Sequence, residues 1–256
     1  MTAPIPRDIP DIPAVPGIPA LLPLPVPASA VMAPVRRPLA AVFRALIALA
    51  AVAGVTIELV LGSPVRVLTY FEVQSNILLA LVFAAAARRA WSARRPLPSA
   101  LTGATLLYVV IAGAVYHLVL ADGTIPFTMT PGPTGSTGWA SVANQLLHTV
   151  TPVATALDWL LLTPPGRLRI RQAAPWMLYP LAYLVVSLTR GELILPGTRG
   201  RYLYPFLDVD LHGYKSVLAN ALLLGLAFYA LAVLLIAIDH ARPKPLRHHG
   251  KTGFRL

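Results

Sequence analysis

Thr69, Glu72 and His148 are the residues of this chain best placed to do chemistry, because each interrupts strongly apolar sequence. Thr69, Glu72, Gln74, Ser75 and Asn76 fall in one short stretch, and Asn144, Gln145 and His148 in another. Tyr116 and His117 are adjacent near the end of the third apolar segment, and Glu58 stands alone near the end of the first. A hydroxyl beside an imidazole is the minimum for acyl transfer: the imidazole takes the hydroxyl proton and the oxygen attacks a carbonyl. Thr69 offers the hydroxyl and His148 the base. Glu72, Asn144 or Asn76 would orient the ring, and amide side chains or Tyr116 would support an oxyanion.

Helices must position these groups. Thr69, Glu72 or Val73, and Asn76 form one stripe at i, i+3/4, i+7, and Asn144 and His148 share a face at i, i+4. The apolar segments that would carry them lie near 38–61, 66–88, 99–120, 139–162, 173–190 and 215–239. Each is close to the roughly 20 residues a membrane-spanning helix needs. Pro175 and Pro180 predict a kink in the fifth. Composition agrees with a lipid solvent: 56% of residues are hydrophobic and 12% charged, against about 25% charged in a soluble domain. The predicted fold is all-α, a polytopic bundle of six transmembrane helices over residues 38–240.

Residues 1–37 form a separate region with ten prolines, many in an Ile-Pro or Val-Pro rhythm. Each proline removes a backbone donor and disfavours helix before it, which predicts an extended, disordered arm. Residues 241–256 are a basic tail containing His248 and His249. Basic residues set the orientation. Fifteen lie on the side shared by both termini, and five (Arg66, Arg190, Arg199, Arg201, Lys215) on the other. Arg44, within the first segment, is close enough to its start to snorkel to the former side. The expectation is a multi-pass cell-membrane protein with both termini cytoplasmic. The net charge of +11 then reflects topology and attraction to anionic headgroups, and no basic stretch alternates with aromatics as a nucleic-acid groove would. With no cysteine, disulfides, thiolate catalysis and Cys-based metal sites are excluded.

An ionisable group inside a membrane helix costs about 2.5 kcal/mol or more, which makes each a functional candidate. Here four helices contribute such groups toward the outer side, which predicts one polar pocket opening outward. Asp158 is the exception, near the inner end of the fourth segment. Depth separates the pair: at about 1.5 Å per residue His148 lies about 13 Å below the start of its helix and Thr69 about 5 Å below its own. They meet if the fourth helix begins nearer residue 143, or if the second tilts or starts earlier. No G-x-S-x-G elbow, phosphate-binding loop, H-E-x-x-H or G-x-G-x-x-G occurs. His117 and His148 could alternatively be axial ligands of a haem between helices. A further alternative is a non-enzymatic membrane protein, either a small-molecule transporter or a lipid-binding scaffold; no internal repeat favours the transporter.

Three motifs, Leu68-Thr69-Tyr70-Phe71-Glu72-Val73-Gln74-Ser75-Asn76, Asn144-Gln145-Leu146-Leu147-His148-Thr149-Val150-Thr151-Pro152 and Tyr204-Pro205-Phe206-Leu207-Asp208, carry a resemblance. Over residues 38–240 the chain resembles a bacterial family of six-helix membrane proteins related to the androgen-induced transmembrane hydrolases of animals. In the animal enzymes a threonine and a histidine are catalytic and the substrates are fatty acid esters of hydroxy fatty acids. The resemblance implies that Thr69 attacks a lipid ester with His148 as base, with Asp208 among the supporting residues, membrane lipids as surroundings and a fatty-acyl ester as substrate. It calls for no cofactor or metal. Glu72 departs from the bacterial pattern, in which a threonine is usual; animal members can have an acid there.

Overall fold

The computed structural model describes residues 35–120, 138–198 and 200–243. The expected proline-rich arm up to residue 34, most of the 121–138 connection, Arg199 and the tail beyond 243 lie outside the described residues. All regular structure among the described residues is helical. Helix α1 is Pro38–Leu61, α2 is Phe71–Trp91 and α3 is Ser99–Leu120. Helix α4 is a continuous run of Trp139–Gln145, Leu146–Val150, Thr151–Leu157 and Asp158–Leu162. Helix α5 comprises Ala173–Trp176 and Leu178–Leu193, and α6 is Val209–Ala241.

Four of these, α1, α2, α3 and α6, are each long and apolar enough to cross a membrane. The other two are interrupted, for reasons written in their sequences. In α4 the turns Leu146–Val150 and Asp158–Leu162 are wound as π-helix. In α5 the break falls at Met177. Pro180 has no N–H to offer the Trp176 carbonyl, which instead accepts the Tyr108 hydroxyl at 2.9 Å. Thus the kink predicted from Pro175 and Pro180 is present, and a buried tyrosine on α3 satisfies the freed acceptor.

Prolines also start the elements. Pro38 opens α1, and Pro64 opens a separate turn, Pro64–Val67. Tyr70 is extended, with φ −78° and ψ 138°, so α2 begins only at Phe71. The second segment was expected to be helical from residue 66. Thr69 therefore lies in the turn before α2 and not on its polar stripe.

Leucines and valines point outward along the whole bundle, for example Leu39, Leu46, Leu49, Leu181, Val185, Leu222 and Leu226. Apolar side chains outside as well as inside are what a lipid solvent permits. Inside, Ile47, Ala48 and Ala51 of α1 meet Leu79, Ala80 and Phe83 of α2. Small residues bring the helices close, as membrane packing requires. A side chain on Gly54 would meet Leu147 at 2.7 Å, so α1 is pressed against the middle of α4.

Charged residues tie the end of the bundle opposite Tyr204. The Arg44 guanidinium on α1 holds both oxygens of Asp158 on α4, at 2.9 and 3.2 Å. Arg44 was expected only to snorkel to the surface; the buried carboxylate gives it a partner at the same depth. Asp239, near the end of α6, accepts the Trp159 indole at 3.1 Å and the backbone N–H groups of Arg167 and Leu168 at 2.7 and 2.9 Å, together with the Arg242 guanidinium.

Candidate functional site

Glu72 is in the first turn of α2, where the partial positive charge of the unsatisfied N–H groups favours a carboxylate. The Tyr204 phenol completes this helix end. It accepts the Phe71 N–H at 3.1 Å and donates to Glu72 Oε2. Burial, and next to it the Glu72 charge, raise the Tyr204 phenol well above its ordinary pKa, so it stays a donor. Tyr204 belongs to the Tyr-Pro-Phe-Leu-Asp motif, whose Pro205–Leu207 turn seats it.

His148 sits in the middle of the π-helical turn Leu146–Val150. Pro152 is four residues on and cannot donate to the His148 carbonyl, so the ordinary ladder fails here. Such wide turns recur at functional positions because they re-aim a side chain. The imidazole Nδ1 lies 3.1 Å from the Asn144 carbonyl. A carbonyl only accepts, so Nδ1 carries the hydrogen and Nε2 presents its lone pair, or its second proton, elsewhere. Nε2 faces Glu72 Oε1 at 3.8 Å, and that carboxylate oxygen is buried without a hydrogen-bond partner. Both residues are nearly sealed from solvent, at 2% and 3% exposure, so any charge formed on the ring is felt strongly by the carboxylate.

The other predicted residues divide into those that hold this pair and those that do not. Tyr116 stacks on the His148 ring with centroids 4.3 Å apart, and its hydroxyl accepts the Asn144 amide. Asn144 thus orients the ring through its backbone carbonyl and through Tyr116, not by its side chain directly. Asn76 donates to the Leu147 carbonyl at 3.3 Å and accepts the Thr151 hydroxyl at 2.7 Å, pinning α2 to α4. Gln74 accepts the Tyr179 hydroxyl at 3.0 Å. Asp208 caps α6, accepting the Asp210 and Leu211 N–H groups at 3.0 and 3.2 Å. His117 is exposed and lies 3.0 Å from the Thr149 hydroxyl, and its ring packs on Tyr116, as that of His148 does.

Thr69 donates its hydroxyl to the Arg66 carbonyl at 2.5 Å, and its own carbonyl accepts the Tyr183 hydroxyl at 3.0 Å. Glu72, one turn farther in, occupies the level of His148 instead. That placement matches the depth mismatch between Thr69 and His148 counted along the sequence.

Glu72, His148, Tyr183 and Tyr204 line a cavity of about 250 Å³ whose remaining wall is apolar. Phe71, Ile111, Leu184, Phe206, Leu224 and Phe228 contribute to it, from α2, α3, α5, the Tyr204 turn and α6. No serine or threonine lines it among the described residues. A largely apolar cleft with a few convergent polar groups is the usual form of a small-molecule site. No group of three or more possible metal-ligating side chains occurs among the described residues.

Gly113 on α3 sets the distance to His148. A methyl there would lie 2.9 Å from the His148 carbonyl and 3.1 Å from Pro152. Gly113→Ala is therefore expected to push α4 outward, costing about 1–3 kcal/mol of stability. Thermal unfolding in detergent checks this. An unchanged midpoint would mean that α4 shifts freely and that Gly113 does not fix the site.

Comparison with protein-family models, curated proteins and solved structures finds no match to this chain.

Proposed function

We propose that this protein is a membrane-embedded hydrolase of lipid esters, with the acyl chain in the apolar cavity and the ester at its Glu72–His148 end. The observation behind the reading is the convergence of a buried imidazole, whose Nε2 is free to accept a proton, and an unpartnered carboxylate oxygen on one apolar cavity. In this reading Thr69 Oγ bonds to the ester carbonyl carbon as its proton passes to His148 Nε2. The alcohol leaves with that proton, and water then releases the acid from Thr69 by the same route in reverse. Glu72 pairs with the imidazolium while it exists. The step requires the Thr69 hydroxyl to leave the Arg66 carbonyl and the turn before α2 to bring Thr69 toward the level of His148.

The same proposal carries six spans. The pieces of α4 follow one another without a gap and together reach about 36 Å at 1.5 Å per residue. The interrupted α5 is flanked by outward apolar side chains such as Leu178 and Val186. Arginine and lysine asymmetry then sets both termini in the cytoplasm.

A second reading, a lipid-binding protein without turnover, is favoured by one observation: the Thr69 hydroxyl is engaged elsewhere and no serine or threonine lines the cavity among the described residues. Labelling of the purified protein by a long-chain fluorophosphonate separates them. Loss of label in both Thr69→Ala and His148→Ala is the expected result. Label lost only in His148→Ala would remove Thr69 from the mechanism. Absence of both label and ester turnover in folded wild type would leave the binding protein.

A further inference from the structure

At the other end of the bundle lies a second cavity, of about 80 Å³, whose lining has the opposite character. Five arginines face it: Arg37 and Arg44 from the start of α1, Arg89 and Arg94 from the end of α2 and the turn after it, and Arg167 from the turn before α5. Its two carboxylates, Asp158 and Asp239, are already engaged by Arg44 and by the Trp159, Arg167, Leu168 and Arg242 donors. Positive charge is left over. Burial lowers the Arg167 pKa against the pull of Asp239, with smaller lowering contributions from Arg44 and Arg37.

Topology explains why arginines collect at this end, but not why they surround a cavity. Nor does it explain Thr155, which is 1% exposed, lines the same cavity, and has no hydrogen-bond partner for its hydroxyl. A guanidinium carries five N–H donors. Arg89 gives one to the Arg95 carbonyl at 3.2 Å and Arg167 one to the Leu97 carbonyl at 3.4 Å. The remaining forks suit a planar pair of oxyanion oxygens, which is the geometry of a phosphate or carboxylate. With five guanidiniums and a buried hydroxyl around a space of this size, the multiply charged group fits best.

We propose that this cavity is a receptor for a phosphate group, carried by an anionic lipid headgroup or present as free phosphate. Both sources offer the same oxygens to Arg89, Arg167 and Thr155. The site stands apart from the Glu72–His148 cavity and does not depend on hydrolase activity.

The test has two arms, both on the full-length purified protein. Equilibrium dialysis against radiolabelled orthophosphate reads the free anion. Native mass spectrometry from nanodiscs of phosphatidylcholine containing phosphatidic acid reads retained lipid. Wild type is expected to bind in at least one arm. Arg89→Gln and Arg167→Gln should each weaken that binding at least tenfold, and the near-isosteric Thr155→Val several-fold. Arg171→Gln, exposed and outside the cavity lining, should leave it unchanged. Binding in the dialysis arm alone assigns the free anion, and in the nanodisc arm alone the headgroup. No binding in either arm overturns the proposal. So does an Arg171→Gln loss equal to that of Arg167→Gln, which would mean attraction by general positive charge.

Discussion

If the proposed hydrolysis occurs, His148→Ala is expected to lower turnover of a long-chain p-nitrophenyl ester by about 10²- to 10⁴-fold, the range a positioned general base supplies. The ring is fixed on three sides: Nδ1 by the Asn144 carbonyl, one face by Tyr116, and Nε2 opposite Glu72. Glu72→Gln keeps the shape but removes the charge facing the imidazolium. The contact is 3.8 Å in the resting structure; a charge-assisted bond that closes as the imidazolium forms is worth about 1.5–3 kcal/mol, so the loss there should be about tenfold to a hundredfold. Truncation at His148 also opens space beside the cavity, and free imidazole should restore part of the rate. Full activity in folded His148→Ala would remove His148 from the mechanism. Loss in that variant with no rescue, but with a lowered unfolding midpoint, would point to a structural histidine.

Asp239→Ala is expected to be the most destabilising single change in the described structure, by about 3–5 kcal/mol, the cost of stranding the partners of a buried charge. Four donors converge on this carboxylate: an indole, two backbone N–H groups and a guanidinium. It joins the end of α6 to α4 and to the turn before α5. Asp239→Asn separates charge from geometry. Its amide nitrogen would face donors where an acceptor is needed, so it should lose most of what alanine loses. Unfolding followed by tryptophan fluorescence is a direct readout, since Trp159 is one of the partners. A midpoint for Asp239→Asn equal to wild type would show that the bonds are replaceable by water.

Proline positions and apolar run lengths made the helices readable in the sequence. Pro38 starts α1 where expected, and the interruption of α5 lies between Pro175 and Pro180. Thr69 was harder. Apolar periodicity continues through Val65, Val67 and Tyr70, which disguises the extended residue that stops one turn and starts the next. The contact between Glu72 and His148 was half legible, since both were singled out as buried ionisable groups. Their register depended on a π-helical turn, and no periodicity of 3.6 residues reports a widened turn in advance; only Pro152, four residues after His148, hinted at it. Tyr204 stood out as part of a motif, yet its landing place on α2 is set by the fold of the 191–208 connection, which residue spacing does not determine. Arg44 and Asp158 were each visible, and counting turns from their helix ends would have put them at one level.

Helix α6 forms one wall of the apolar cavity, while only 17% of its most apolar stretch is buried inside the protein. Its other face, with Leu222, Leu223 and Leu226, is turned to the surroundings. In the proposed reading, a guest reaching the cavity along this wall would come from the bilayer and not cross water. The quantity that governs occupancy is then its mole fraction among the lipids. Diluting the protein with detergent micelles at constant bulk concentration of the guest would empty the cavity, as surface dilution does for any receptor that draws its ligand from two dimensions.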